Sequence, residues 1–358
     1  MRVLLVVLAG CGAHLADGPE PTRDHPDAAI ADAAIDGPVH LDTAPGAYRQ
    51  VCDGSAAVAI DFDHFADFSD SDERVRIFQR GAHTKATDEL DLTTPLDVGT
   101  DVADLEDAAR VGDRIYVIGS HARTSAGNQA PSRFRFAALD LADGQLHWAG
   151  MQTRLVADML DAANWSAPSP DVIAALDAAT KLDQPTAANL APKQGGLSIE
   201  GLAYAPTQAT PERLAIGFRN PRPDNRAVVV TLMNAAAVID GAPARFGEAI
   251  ELDLGGLGIL GMTWSEMLHA VLVIAGPHDD AAGPFYLFRW SGLAVDPPLR
   301  VANLVVPEGG RPEAVIAYPT TADVQILFDS DNVSLYGMPC DQAEVGARVF
   351  ADAIVPLQ

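Results

Sequence analysis

From residue 54 onward the chain is written in short apolar runs punctuated by Gly, Pro, Asp and Asn. RIYVIGS (114–120), RLAIGF (213–218), AVVVTL (227–232), AVLVIAG (270–276), FYLFRW (285–290) and VQILF (324–328) are rich in β-branched or aromatic residues and bounded by turn formers. Such runs read as strands. Several pair into hairpins with one layout: LEDAARVGDRIYVIGSHAR (105–123), IEGLAYAPTQATPERLAIGFRNP (199–221), LGMTWSEMLHAVLVIAGPHDD (260–280) and PEAVIAYPTTADVQILFDSDN (312–332). Each opens with a short strand, turns, runs a stronger apolar strand and ends in a polar cluster. AAVAIDFDHFADFSDSDERVRIF (56–78) is a weaker copy. The corresponding positions Ala56, Glu106, Glu200, Leu260 and Glu313 are spaced by 50, 94, 60 and 53 residues. A repeat near fifty residues with about four strands per unit is what a β-propeller blade requires. The third unit can be drawn in full, with strands at 199–204, 213–218, 227–232 and 248–254.

The long spacing covers residues 151–195, where VADMLDAANW and PDVIAALDAATKL have helical periodicity and Pro170-Asp171 marks a helix start. This predicts an all-β propeller of five blades with a short helical insertion, or of six if the insertion hides a degenerate blade. A pair of β-sandwiches is the structural alternative. Apolar residues are 48% of the 358, enough for a substantial core. Acids outnumber bases 49 to 24, for a net charge of −25. That excess repels nucleic-acid phosphates and anionic headgroups, so nucleic acid is excluded as a partner and cations or basic ligands match better. No apolar run reaches the roughly 18 residues of a spanning helix.

The first residues, MRVLLVVLAGC, place Arg2 before an apolar stretch Val3–Leu8 and small residues before Cys11. Leu8-Ala9-Gly10-Cys11 resembles the lipobox of bacterial lipoproteins, which implies a signal peptide over 1–10 and lipid on Cys11. Gly at position 12 rather than Asp implies, by the same resemblance, the outer membrane. Residues 11–50 are dominated by Asp, Ala, Pro and Gly and cannot bury enough apolar surface to order themselves, so they read as a tether. With Cys11 lipidated, Cys52 and Cys340 remain, at the two ends of the β domain. An exported compartment permits a disulfide between them, which would suit a closed ring whose first and last blades touch.

DLEDAARVGDRIYVIGSHART, GGLSIEGLAYAP with IGFRNPRP, ARFGEAIELDLGGLGI and LVIAGPHDDAAGPFYLFRWSG resemble the bacterial family called domain of unknown function 3616, over roughly residues 54–340. The IEGL-type openings more loosely resemble the esterase-like phytase propellers, which implies metal-assisted phosphoesterase chemistry. Propellers host many unrelated functions, so this is analogy only.

In an antiparallel hairpin the start of the first strand lies beside the end of the second. The opening acids and closing polar clusters therefore share one face, and the first strand of each blade lines the channel. Glu106, Glu200 and Glu313 are expected to converge at one channel mouth, rimmed by Asp70, His121, Arg123, Arg219, Asn220, Arg222, His278, Asp279, Asp329 and Asp331. Three readings fit. The acids cap backbone N–H groups or pair with Arg219 and Arg123. They hold Ca²⁺ or Mg²⁺ through oxygen ligands. Or they bind an organic ligand. His121 or His278 is placed to act as acid or base. No GxSxG, Walker A, HExxH or zinc-spaced cysteine pattern appears. Two functions follow: a lipid-anchored, monomeric propeller that binds a small molecule or protein, or a metal-dependent hydrolase of phosphate esters using Arg219 and Arg123 as anion clamps.

Overall fold

The computed structural model describes residues 47–335 and 338–357. The expected signal peptide, Cys11 and nearly all of the expected tether lie outside the described residues. Five four-stranded antiparallel sheets are present among them. Blade one comprises Ala56–Ala59, His64–Phe68, Arg74–Gln79 and Asp88–Asp91. Blade two comprises Leu105–Val111, Arg114–Gly119, Phe136–Ala142 and Gln145–Gln152. Blade three is built from Ser198–Tyr204, Leu214–Asn220, Ala227–Leu232 and Phe246–Leu252, within two residues of its predicted strands. Blade four is Gly258–Ser265, Ala270–Gly276, Phe285–Trp290 and Leu299–Leu304. The first strand of each blade packs on the first strand of the next, and that of blade five returns to blade one. The described residues thus form a β-propeller of five four-stranded blades.

Blade five is completed by the other end of the chain. Its strands Arg311–Ala317, Val324–Asp329 and Val349–Val355 are joined at the outer edge by Tyr48–Arg49. The tether reading up to residue 50 therefore ran too far. Tyr48 is fully buried, stacked on Phe350 and edge-on to Phe65 and Phe78. One aromatic at the end of a polar tract was too little periodicity to read as a strand. Cys52 and Cys340, 288 residues apart, are joined by a disulfide beside this clasp.

Each gap between blades has its own apolar layer, because both faces of every blade are covered. Blade four shows the alternation. Val271, Val273 and Ala275 pack toward blade three, whereas Leu272 and Ile274 pack toward blade five. The insertion between blades two and three forms helices Leu155–Leu160 and Pro170–Thr180 with short 3₁₀ turns and adds no further four-stranded sheet among the described residues; the one other sheet is the two-stranded pair Ser334–Leu335 and Met338–Pro339. Its residues 151 and 152 belong to the last strand of blade two. Leu155, Met159, Trp165, Val172 and Leu176 are buried against both neighbouring blades, so the insertion is part of the core.

Candidate functional site

The position shared by the repeats has a local backbone cause. In blades two, three, four and five the ladder between the first two strands skips one residue of the first strand, and the skipped residues are Glu106, Glu200, Leu260 and Glu313. A bulge of this kind leaves one residue unpaired and re-aims its side chain. Blade one, with Ala56 in register against Phe68, has no bulge there.

The three bulged glutamates act on one another electrostatically. Burial raises the Glu106 carboxyl well above the usual range, and Asp104, Glu200, Glu313 and Asp70 push it further. Burial, Asp329 and Glu200 do the same to Glu313, against the opposing Arg219 and Arg311. Burial followed by Asp53, Asp104, Glu313 and Asp329 raises Asp70. Carboxylates from blades one, two, three and five thus feel one another strongly, as like charges in a poorly hydrated space must. Leu260, the equivalent in blade four, joins the apolar layer, so the acidic ring is open on one side.

Arg219 is the cation set into this ring. Its Nη1 donates to Glu200 Oε1 at 3.0 Å and Oε2 at 3.3 Å. Nε donates to the Pro277 carbonyl and Nη2 to the Asp279 carbonyl, which pulls the loop of His278 and Asp279 to the mouth. Burial works against the Arg219 charge, but Glu200, Glu313 and Glu106 raise its pKa on balance. For Glu200 the ion-pair reading therefore holds, whereas Glu106 and Glu313 make no side-chain ion pair among the described residues. His278 is half-buried, and burial and then Arg222 lower its pKa. Asp279 Oδ1 accepts from the Ala281 N–H, as in an Asp-rich turn. Asp329 lies in the cluster, its carboxyl raised by burial against the pull of the Asp331 N–H and Arg311.

Two expected rim residues are not at the rim. His121 is 1% exposed, donates its Nδ1–H to the Gly119 carbonyl at 2.8 Å, and lies edge-on to Phe134. Burial, ahead of Arg135, lowers its pKa to about 4, so the ring is neutral, and Nδ1 carries the proton that the carbonyl accepts. Burial and the backbone turn at residue 121 remove it from acid–base work at the mouth. Arg123 is also buried. It donates to the carbonyls of Thr180, Lys181 and Gln184 and to that of Gly127. Those carbonyls include the end of helix Pro170–Thr180, where a cation is favoured by the orphan C=O groups. Arg123 is a clasp for the insertion and is not available as an anion clamp.

Sequence reasoning passed over Asp107, Asp104, Asp53 and Arg311. Asp107 is 1% exposed, and its Oδ2 accepts the N–H of Leu202 at 2.7 Å and of Met262 at 2.8 Å. It ties the first strands of blades two, three and four together, at the position where blades three and four carry Gly201 and Gly261. Asp104 accepts from Ser120 Oγ and pairs with Arg133 at 2.9 Å. Their signal was faint: acids one or two residues from Glu106 look like surface residues in an acidic chain. As the side chains stand, no three His, Cys, Asp or Glu among the described residues are grouped as metal ligands, so the mouth offers no ready Ca²⁺ or Mg²⁺ shell.

The family model described as "Protein of unknown function (DUF3616)" matches residues 58–321, most of the propeller. The chain belongs to this family. The match runs from blade one into the first hairpin of blade five, so the bulged glutamates and the insertion of this DUF3616 propeller all lie inside it. No curated protein matches the sequence. Among solved structures, the chain is similar to the glutaminyl cyclase of Myxococcus xanthus, with TM-score 0.42 and 9% identity over 87% of this chain and 94% of that one. It is also similar to the β-propeller domain of Myceliophteria thermophila Cps50 (Swd1), with TM-score 0.34 and 10% identity over 84% and 96%. Nothing of either protein's chemistry is carried over to this chain.

Proposed function

We propose that this chain is an exported, lipid-anchored binding propeller whose acidic channel mouth takes a cationic organic ligand. The observation that carries the reading is the set of bulged glutamates. Three blades each use a backbone irregularity to aim a carboxylate at one mouth, where Asp70, Asp104 and Asp329 join them; among the described residues Glu200 pairs with Arg219 and Asp104 with Arg133, and Glu106 and Glu313 have no arginine of their own. Mutual repulsion there is relieved by a cation. Because no three of these carboxylates are grouped as ligands for a bare ion, a ligand with several separated N–H donors fits better than a metal. The net charge of −25 steers such a ligand toward the protein. The MRVLLVVLAGC start supports export and anchoring at Cys11.

The test is calorimetric titration of the full chain with spermidine at low and moderate salt, beside the double variant Glu106→Gln, Glu313→Gln. The expected result is saturable binding that weakens with salt and falls at least about tenfold in the variant, as expected for charge-assisted contacts. Equal binding by both proteins would reject the mouth as the site.

A further inference from the structure

The gap between blades one and five holds a buried polar nest beside its apolar layer. Asp67, on the second strand of blade one, has no exposed surface, and neither carboxylate oxygen has a hydrogen-bond partner among the described residues. Ser55 Oγ and Asp53 Oδ1 are also without partners, and each of these residues is 1% exposed. Buried polar atoms are nearly always satisfied, so four unsatisfied oxygens on three side chains call for something that satisfies them. The three residues are neighbours. Ala56 pairs with Phe68 and Ala57 with Asp67. One residue further, that register sets Ser55 opposite Ser69. The other oxygen of Asp53 accepts Ser71 Oγ at 2.8 Å, and Ser71 Oγ meets Ser69 Oγ at 3.0 Å. Among charged groups, Asp53 acts most strongly on Asp67, ahead of Arg76 and Asp72.

Arg76 stands across the ladder from Asp67 but does not hydrogen-bond to it. Its Nη1 and Nη2 go to Asp72, and Nε lies 3.2 Å from Glu89. The nest keeps an excess of negative charge and a set of donors that is oxygen throughout.

We propose that this nest binds one calcium ion, held by Asp53, Ser55 and Asp67. Calcium accepts mixed oxygen donors in irregular geometry, whereas magnesium demands a near-ideal octahedron of ligands. Zinc favours nitrogen and sulfur, which these side chains do not supply. The ion ties the segment after Cys52 to the second strand of blade one. It therefore fastens the ring where the two ends of the chain meet. The site is separate from the glutamates proposed to take an organic cation, and the two proposals fail separately.

The experiment uses the full chain with its disulfide intact, stripped with a chelator and then titrated with Ca²⁺ alone. Equilibrium dialysis with elemental analysis is expected to give about one calcium per chain. Because the ion binds only the folded state, the melting midpoint rises by a few degrees at saturating Ca²⁺, and by much less at equal Mg²⁺. Asp67→Asn keeps the shape and removes a repelling charge, so it folds; it is expected to lose at least about tenfold in calcium affinity and most of the midpoint shift. Ser55→Ala weakens binding to a smaller degree. Glu106→Gln, Glu313→Gln keeps the calcium response while losing that to spermidine. Wild-type protein that takes up no calcium overturns the proposal, as does stoichiometric calcium with unchanged affinity in both Asp67→Asn and Ser55→Ala. Crystals grown in calcium with a water and no calcium anomalous signal at the nest do the same.

Discussion

At the scale of single residues, this protein is governed by what burial does to charge. Asp331 shows it most directly: burial first, then Asp329, Asp53 and Asp341, push its carboxyl up to about 7 against the opposing Arg348. An unfolded Asp titrates near pH 3.9. The folded state therefore holds this proton more tightly than the unfolded chain does. The stabilisation from proton uptake is full below the unfolded value and is lost as pH rises through about 7. Glu106, Glu313 and Asp70, also raised, act in the same direction. In calcium-free buffer the melting midpoint is expected to be higher near pH 5.5 than near pH 8, with a smaller difference in Asp331→Asn. A wild-type midpoint that climbs between those values would contradict this. His121 and Arg123 belong to the same scale. As letters in a polar cluster they looked available, and burial decided otherwise.

Among elements, the first hairpin of each blade is the working unit. Its bulge sets the direction of Glu106, Glu200 and Glu313, and the residue after the bulge sets how closely the inner strands approach. Gly261 follows Leu260, and a Cβ there would stand 2.3 Å from the carbonyl oxygen of Glu313. That neighbour is backbone and cannot rotate away. Gly261→Ala is therefore expected to lower the unfolding free energy by about 1–3 kcal/mol, the usual range for overpacking. It should also weaken spermidine binding, because the clash falls on the residue that carries a site carboxylate. Denaturant melts and the same titration check both. The repeat of hairpins was readable from alternation and turn residues. The bulge was visible only as the coincidence that a glutamate opened three of the five units.

The propeller is a ring closed twice, by Tyr48–Arg49 at the edge of blade five and by the Cys52–Cys340 disulfide. A cross-link across 288 residues removes much of the freedom of the unfolded chain. On the chain-entropy account, Cys52→Ser with Cys340→Ser lowers stability by about 5 kcal/mol at most. Guanidinium melts of the oxidised protein and the double variant measure it, and a difference under about 1 kcal/mol would mean that the strand clasp alone fastens the ring.

The repeat, the approximate strand positions and the cysteine pairing were legible in the sequence, which left the blade number at five or six. Each depends on local periodicity or on a repeat that copies one geometry around an axis. Strand alternation fixes faces, and equivalent positions in equivalent blades must converge. The tertiary structure decided what depends on contacts between distant segments. Tyr48 joins the last blade because Phe350, Phe65 and Phe78 leave a place for its ring. Arg123 turns inward because the insertion ends its helix beside it. Asp53, Ser55 and Asp67 become a nest only when blade five closes over blade one and shuts water out.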